Sequence, residues 1–185
     1  MSGVVQLQSG QATARLLPAA GGRISALRLQ PSGAGAAIDV LHPYPEDFFD
    51  PLRWAKGGIY PLMPYSNRIT QARVRVDGTD VALLPHPDVA PHSLHGNAHA
   101  LPWQVESHTA DHAVLMLDAP ACAAWPWHYT ARLQLQLTPS ALSANLSVRN
   151  ADTRTMPAGL GLHPYFRHNP DAAVGYQPGS IWPPT

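Results

Sequence analysis

The chain has 185 residues, and its 12 lysines and arginines balance 12 aspartates and glutamates for a formal net charge of +0. No broad field draws it to nucleic acid or to an anionic membrane, so the expected partner is a small neutral molecule. The length suffices for one core-bearing domain over residues 1–185, and a lone cysteine, Cys122, excludes an intramolecular disulfide. The start, MSGVVQLQSG, has no basic segment followed by an apolar one, and no run reaches the roughly 18 to 20 apolar residues that cross a bilayer as a helix. A cytoplasmic protein is expected.

Along the chain, apolar–polar alternation dominates. Residues 4–8 (VVQLQ) and 14–17 (ARLL) read as strands. Residues 23–29 (RISALRL) place Ile24 and Ala26 opposite Leu27 and Leu29 in an ideal count, so a bulge is expected there. From 41 to 67 the pattern changes to aromatics, glycine and the prolines 43, 45, 51, 61 and 64, a long structured excursion without regular elements. Residues 74–76 and 81–84 flank Asp77-Gly78, whose tolerance of positive φ predicts a hairpin. A second punctuated region, 84–103, carries His86, His92, His95 and His99. The clearest strands are 133–137 (LQLQL) and 142–148 (LSANLSV), apolar at every second position and separated by Thr138-Pro139-Ser140. A third excursion follows them. The pattern predicts an all-β fold without a major amphipathic helix, its three excursions meeting above one sheet face.

The chemistry-bearing residues lie in those excursions. The histidines of 92–99 lack the HExxH helix pattern, so unliganded imidazoles are expected rather than a metal site. His95 beside Gly96 suits sugar binding or proton transfer, with an exposed turn histidine as the alternative. His86, His92 and His99 read as turn histidines without a catalytic role. Arg68 offers a fork of donors to ligand hydroxyls or a loop-fixing ion pair, and Asn67 offers a cap for local backbone. His163, between glycines and Tyr165-Phe166, can donate a proton to a developing alkoxide while one of those aromatics walls a sugar ring. A core position is the alternative for Phe166. Cys122, with no activating neighbour in sequence, reads as a buried thiol. Trp103, Trp125 and Trp127 suit either a stacking platform or a core. No phosphate loop ending in GKS or GKT, GxSxG elbow or GxGxxG fingerprint is present.

Taken together, Pro61-Leu62-Met63-Pro64-Tyr65-Ser66-Asn67-Arg68-Ile69, Leu94-His95-Gly96 and Gly159-Leu160-Gly161-Leu162-His163-Pro164-Tyr165-Phe166 resemble, in order and spacing, the aldose 1-epimerase or galactose mutarotase-like family. The resemblance implies a large antiparallel β-sandwich with a sugar site on a concave face, here incomplete on the carboxy-terminal side. It implies an isomerase that interconverts the α and β anomers of hexoses such as glucose or galactose through the open-chain aldehyde, with neither metal nor organic cofactor. In that reading His163 is the general acid at the ring oxygen. His95 orients the pyranose and its ring oxygen, Arg68 contacts the hydroxyls, and Asn67 supports the arrangement. The family's catalytic glutamate is expected in a carboxy-terminal portion that this sequence does not contain, since its only glutamates are Glu46 and Glu106. The base is therefore unassigned, and the alternatives are a non-catalytic carbohydrate-binding remnant or a hexose-phosphate epimerase. Missing strands also imply exposed sheet edges and self-association.

Overall fold

The computed structural model describes residues 3–30, 35–52 and 56–168, together with 170, 173, 175 and 177. The first eight strands are β1 (Val5–Ser9), β2 (Ala12–Leu17), β3 (Arg23–Leu29), β4 (Ile38–Asp39), β5 (Ile59–Leu62), β6 (Arg68–Ile69), β7 (Arg73–Val76) and β8 (Thr79–Ala82). They are followed by β9 (Ser93–Leu94), β10 (Gln104–His108), β11 (His112–Ala119), β12 (Tyr129–Leu137), β13 (Leu142–Asn150) and β14 (Gly161–Pro164). One sheet runs β1-β2-β3-β5-β14 with β4 on β3, a second runs β10-β11-β12-β13, and all their pairings are antiparallel. Neither closes into a barrel. Among the described residues no helix is long and apolar enough to cross a membrane.

The two sheets face each other across one core. Leu7, Ala14, Leu16 and Ile24 of the first meet Leu115, Leu117, Leu133 and Leu135 of the second, all essentially inaccessible to solvent. Strand β12 shows why: its odd positions from Tyr129 to Leu137 are buried and its even ones partly or fully exposed, so the period-two pattern delivers one face to the core. Each fully buried leucine there contributes about 2 kcal/mol. Trp103, Trp125 and Trp127 are 1%, 1% and 2% exposed, which settles them as core residues. The register of β12 with β13 closes at Leu137 opposite Leu142, across a turn in which Thr138 N donates to Ala141 O. Strand β13 borders its sheet and keeps most of its residues exposed.

The expected bulge lies in β3. Arg15 pairs with Ala26 but Leu16 with Ile24, leaving Ser25 as the extra residue. Its hydroxyl donates to Arg15 O at 3.2 Å and to Glu46 Oε1 at 3.0 Å. The β7–β8 hairpin is tighter than the sequence pattern indicates: Val76 pairs with Thr79 across Asp77 (φ 48°) and Gly78 (φ 79°) alone, the left-handed pair of a type I′ turn. Three expectations are corrected and one alternative is closed. The excursion 41–67 is not without regular elements, since Ile59–Leu62 forms β5 and pairs with β3 and β14 in the first sheet. Cys122 is exposed, its Sγ accepting from Asn97 Nδ2 at 3.6 Å, while Trp125 and Trp127 take the buried positions of that segment. His86 and His99 are 8% and 3% exposed, so neither is an exposed turn histidine, while Phe166 is 67% exposed and no core residue. The carboxy-terminal stretch 175–185 lies outside the described residues apart from Gly175 and Gln177.

Candidate functional site

Strand alternation sets the site on the outward face of the first sheet. Ile24 and Ile59 are cross-strand partners in the core, so their neighbours Arg23 and Tyr60 project to the opposite face. Tyr60 is opposite His163 in the β5–β14 pairing, and their rings stack with centroids 5.0 Å apart and planes 9° from parallel. Tyr165 packs on His163 as well, at 4.8 Å and 23°, and its ring lies 6.3 Å from that of Tyr60, so the three rings form a cluster rather than a sandwich. His163 Nδ1 is buried without a hydrogen-bond partner, which leaves Nε2 as the nitrogen that can face a ligand. Burial holds the imidazole below its ordinary pKa, and the positive charge of Arg23 adds to that.

The His95 turn meets His163 edge-on, the ring centroids 5.6 Å apart at 80°. Three features fix it. Asn67 (φ 64°) and His95 (φ 61°) both have left-handed backbones and clasp each other: His95 N donates to Asn67 O, and Asn67 N donates to His95 Nδ1, each at 3.0 Å. That bond makes Nδ1 an acceptor and puts the ring proton on Nε2. Gly96, with φ 67°, bridges to Met63 so closely that a Cβ there would overlap the Met63 carbonyl. Behind the turn Asn97 is 7% exposed; its N–H and that of Ala98 donate to Met63 O, and its Oδ1 accepts from Tyr129 OH at 2.7 Å. Burial first, then the charges of His163 and Arg68, push the His95 pKa down to about 4.

The three excursions therefore do meet: Gly159 N donates to Pro64 O at 2.6 Å, and Tyr165 N to Gly58 O at 2.9 Å. Arg68 is exposed on β6 opposite Leu94 of β9 and forms no ion pair among the described residues, which leaves its guanidinium available to a ligand. Asn67 acts through its backbone rather than through a side-chain cap. The remaining histidines of the region serve the chain itself: His92 Nδ1 accepts from Gln71 N, and His86 Nδ1 from Asp88 N. Burial drives the His99 pKa down to about 3. Among the described residues no group of three or more His, Cys, Asp or Glu side chains could hold a metal ion. A cleft of about 290 Å³, lined by Tyr65, Leu84, His86, Asn97 and His99 among others, opens beside the turn, but neither His95 nor His163 lines it.

Sequence reasoning did not single out Arg23, Tyr60 or Asn97. The one available signal was that Asn97 directly follows His95-Gly96. Both glutamates are engaged elsewhere: Glu46 accepts from Arg15 Nε at 2.6 Å and from Ser25, and Glu106 from Arg132 Nη2 at 2.6 Å.

Residues 3–177 match the family described as aldose 1-epimerase. A curated relative, the uncharacterized protein YphB of Escherichia coli (strain K12), is 32% identical over 123 residues, 66% of this chain and 41% of that protein. The crystal structure of a candidate aldose 1-epimerase from Escherichia coli K12 superposes with a TM-score of 0.76 at 27% identity, covering 91% of this chain and 53% of that one. The aldose epimerase homologue of C. elegans shares the fold, with a TM-score of 0.75 at 22% identity over 90% of this chain and 51% of that one. The chain thus spans about half the length of these structures and less of the curated relative.

Proposed function

The chain belongs to the aldose 1-epimerase family, and we propose that it acts on a neutral aldohexose such as glucose or galactose by interconverting its anomers. The observation that carries the reading is the convergence of His163 and His95, with ring centroids 5.6 Å apart, the Nδ1 of His163 buried and that of His95 accepting from Asn67 N. In this reading His163 Nε2–H protonates the ring oxygen while solvent water takes the proton of the anomeric hydroxyl, the C1–O5 bond opens to the aldehyde, and reclosure on the other carbonyl face reverses both transfers. Its depressed pKa makes protonated His163 a stronger acid than free imidazole. His95 Nε2–H orients the ring oxygen, exposed Arg68 takes sugar hydroxyls, and the Asn67 backbone holds His95. Tyr165 supplies an aromatic wall. No side chain of this sequence is assigned as base, since Glu46 and Glu106 are bound to arginines.

That engagement favours a second reading, in which the chain holds sugar through His95, Arg68 and His163 without exchanging its anomers. Magnetisation exchange between α- and β-glucose, then galactose, followed by proton NMR at neutral pH, separates the two. Faster exchange with the wild-type chain than with buffer, abolished in His163→Ala, supports catalysis. Exchange equal to buffer from a folded chain refutes catalysis, and sugar-dependent shifts at His95 and His163 then mark binding alone.

A further inference from the structure

Arg23 is 1% exposed, yet among the described residues no carboxylate pairs with it, and its Nε and Nη1 are buried without a hydrogen-bond partner. A guanidinium in that position would ordinarily be paired, because burying an unpaired charge is costly. Its compensation is aromatic. The guanidinium carbon sits 4.2 Å from the Tyr44 ring centroid and 4.5 Å from that of Tyr60, and planar, weakly hydrated arginine suits such a sandwich where lysine would not. Tyr60 in turn stacks on His163, which stacks on Tyr165.

We propose that Arg23 is a positioning residue of this site: clamped between Tyr44 and Tyr60, it fixes the ring on which His163 rests and holds a permanent positive charge behind that imidazole. The role rests on the reading of His163 as the proton donor. A charge so placed favours the neutral ring and so strengthens protonated His163 as an acid. Through the Tyr60 ring the separation is no more than roughly 10 Å, where, at an effective dielectric constant near 20, one charge moves an imidazole pKa by about one unit. Among the described residues the other ionisable groups facing His163 are Tyr60 from β5, Tyr165 beyond β14 and His95 from the turn after β9. None of them carries a permanent charge.

The test is the imidazole titration of His163 by heteronuclear NMR in the full 185-residue chain, with assignment from His163→Gln. Arg23→Met, an apolar replacement of similar length, is expected to raise the His163 pKa by about one unit and to leave exposed His108 unmoved. Tyr44→Leu keeps the charge but admits water to it, and is expected to raise the His163 value by a smaller amount. An unchanged His163 pKa in Arg23→Met, or an equal movement at His108, overturns the proposal. If Arg23→Met does not fold, an unchanged value in Tyr44→Leu overturns it. The readout does not depend on turnover. A chain that fails to exchange anomers therefore defeats the catalytic reading without touching this result, and a static pKa defeats the role of Arg23 while leaving that reading intact.

Discussion

Replacing Gly96 by alanine tests whether the His95 turn is held by direct contact between two backbones. Gly96 has φ 67°, and a Cβ there would overlap the Met63 carbonyl and lie 2.7 Å from Pro64 N. The left-handed conformation alone costs an L-residue about 1 kcal/mol. Relieving the overlap requires the turn to withdraw from Met63, whose carbonyl accepts from Asn97 N at 3.0 Å and Ala98 N at 3.1 Å. Losing those two bonds at a buried site adds about 1 kcal/mol each, for a total of about 3 kcal/mol. In a chain of this size that lowers Tm by about 10 °C. Gly78 is the internal control, because it has φ 79° but nothing within 4 Å of its added Cβ. Gly78→Ala should lose only the conformational share, about 3 °C. Thermal melts of both variants by circular dichroism measure the difference. Equal shifts would refute the reasoning, since the close approach to Met63 would then carry no energy. If instead Gly96→Ala melts early as expected, the His95–His163 ring contacts should also weaken in the nuclear Overhauser spectrum of the folded variant.

Acid should destabilise the fold earlier than its carboxylates require. His95 and His99 titrate near 4 and 3 in the folded chain, and His163 below its ordinary value, whereas unfolded histidine titrates near 6.5. The unfolded state therefore binds more protons below that pH, and the stability present above 6.5 is lost as pH falls toward 3. Discounting the half-exposed His95 and His163 for screening, urea midpoints should report a loss of roughly 2 to 3 kcal/mol between pH 7.5 and pH 5, mostly from His99; a flat profile over that range would contradict the burial of these rings. Cys122, being exposed, should react with a maleimide in the native chain about as fast as in urea, and protection by a factor of about 100 or more would return it to the interior.

Much of this architecture was legible from local pattern. Alternation placed β12 and β13 and their buried faces, Asp77-Gly78 named its own turn, and the broken period of residues 23–29 announced the bulge at Ser25, because side-chain direction along a strand follows from chain geometry alone. The motifs around His95 and His163 also marked the two imidazoles before their geometry was known. Other features depend on which segment covers which, and no window of sequence contains that. Arg23 reads as an ordinary alternating strand residue until Tyr44 closes over it, and His99 reads as a turn histidine until its loop packs it beside Tyr60. Cys122 reads as interior and lies outside, and of the two readings open for Phe166 its exposure removes the core one, since apolar character permits burial but does not supply a covering neighbour. The sequence by itself determined β1 to β3, β7, β8, β12 and β13 and brought His95 and His163 forward as candidates, while β5, β10, β11 and β14 carry no alternation that it singled out. Tertiary structure decided the cluster of Tyr44, Arg23, Tyr60, His163 and Tyr165, because it joins four separate stretches of chain whose proximity only sheet pairing and loop closure create.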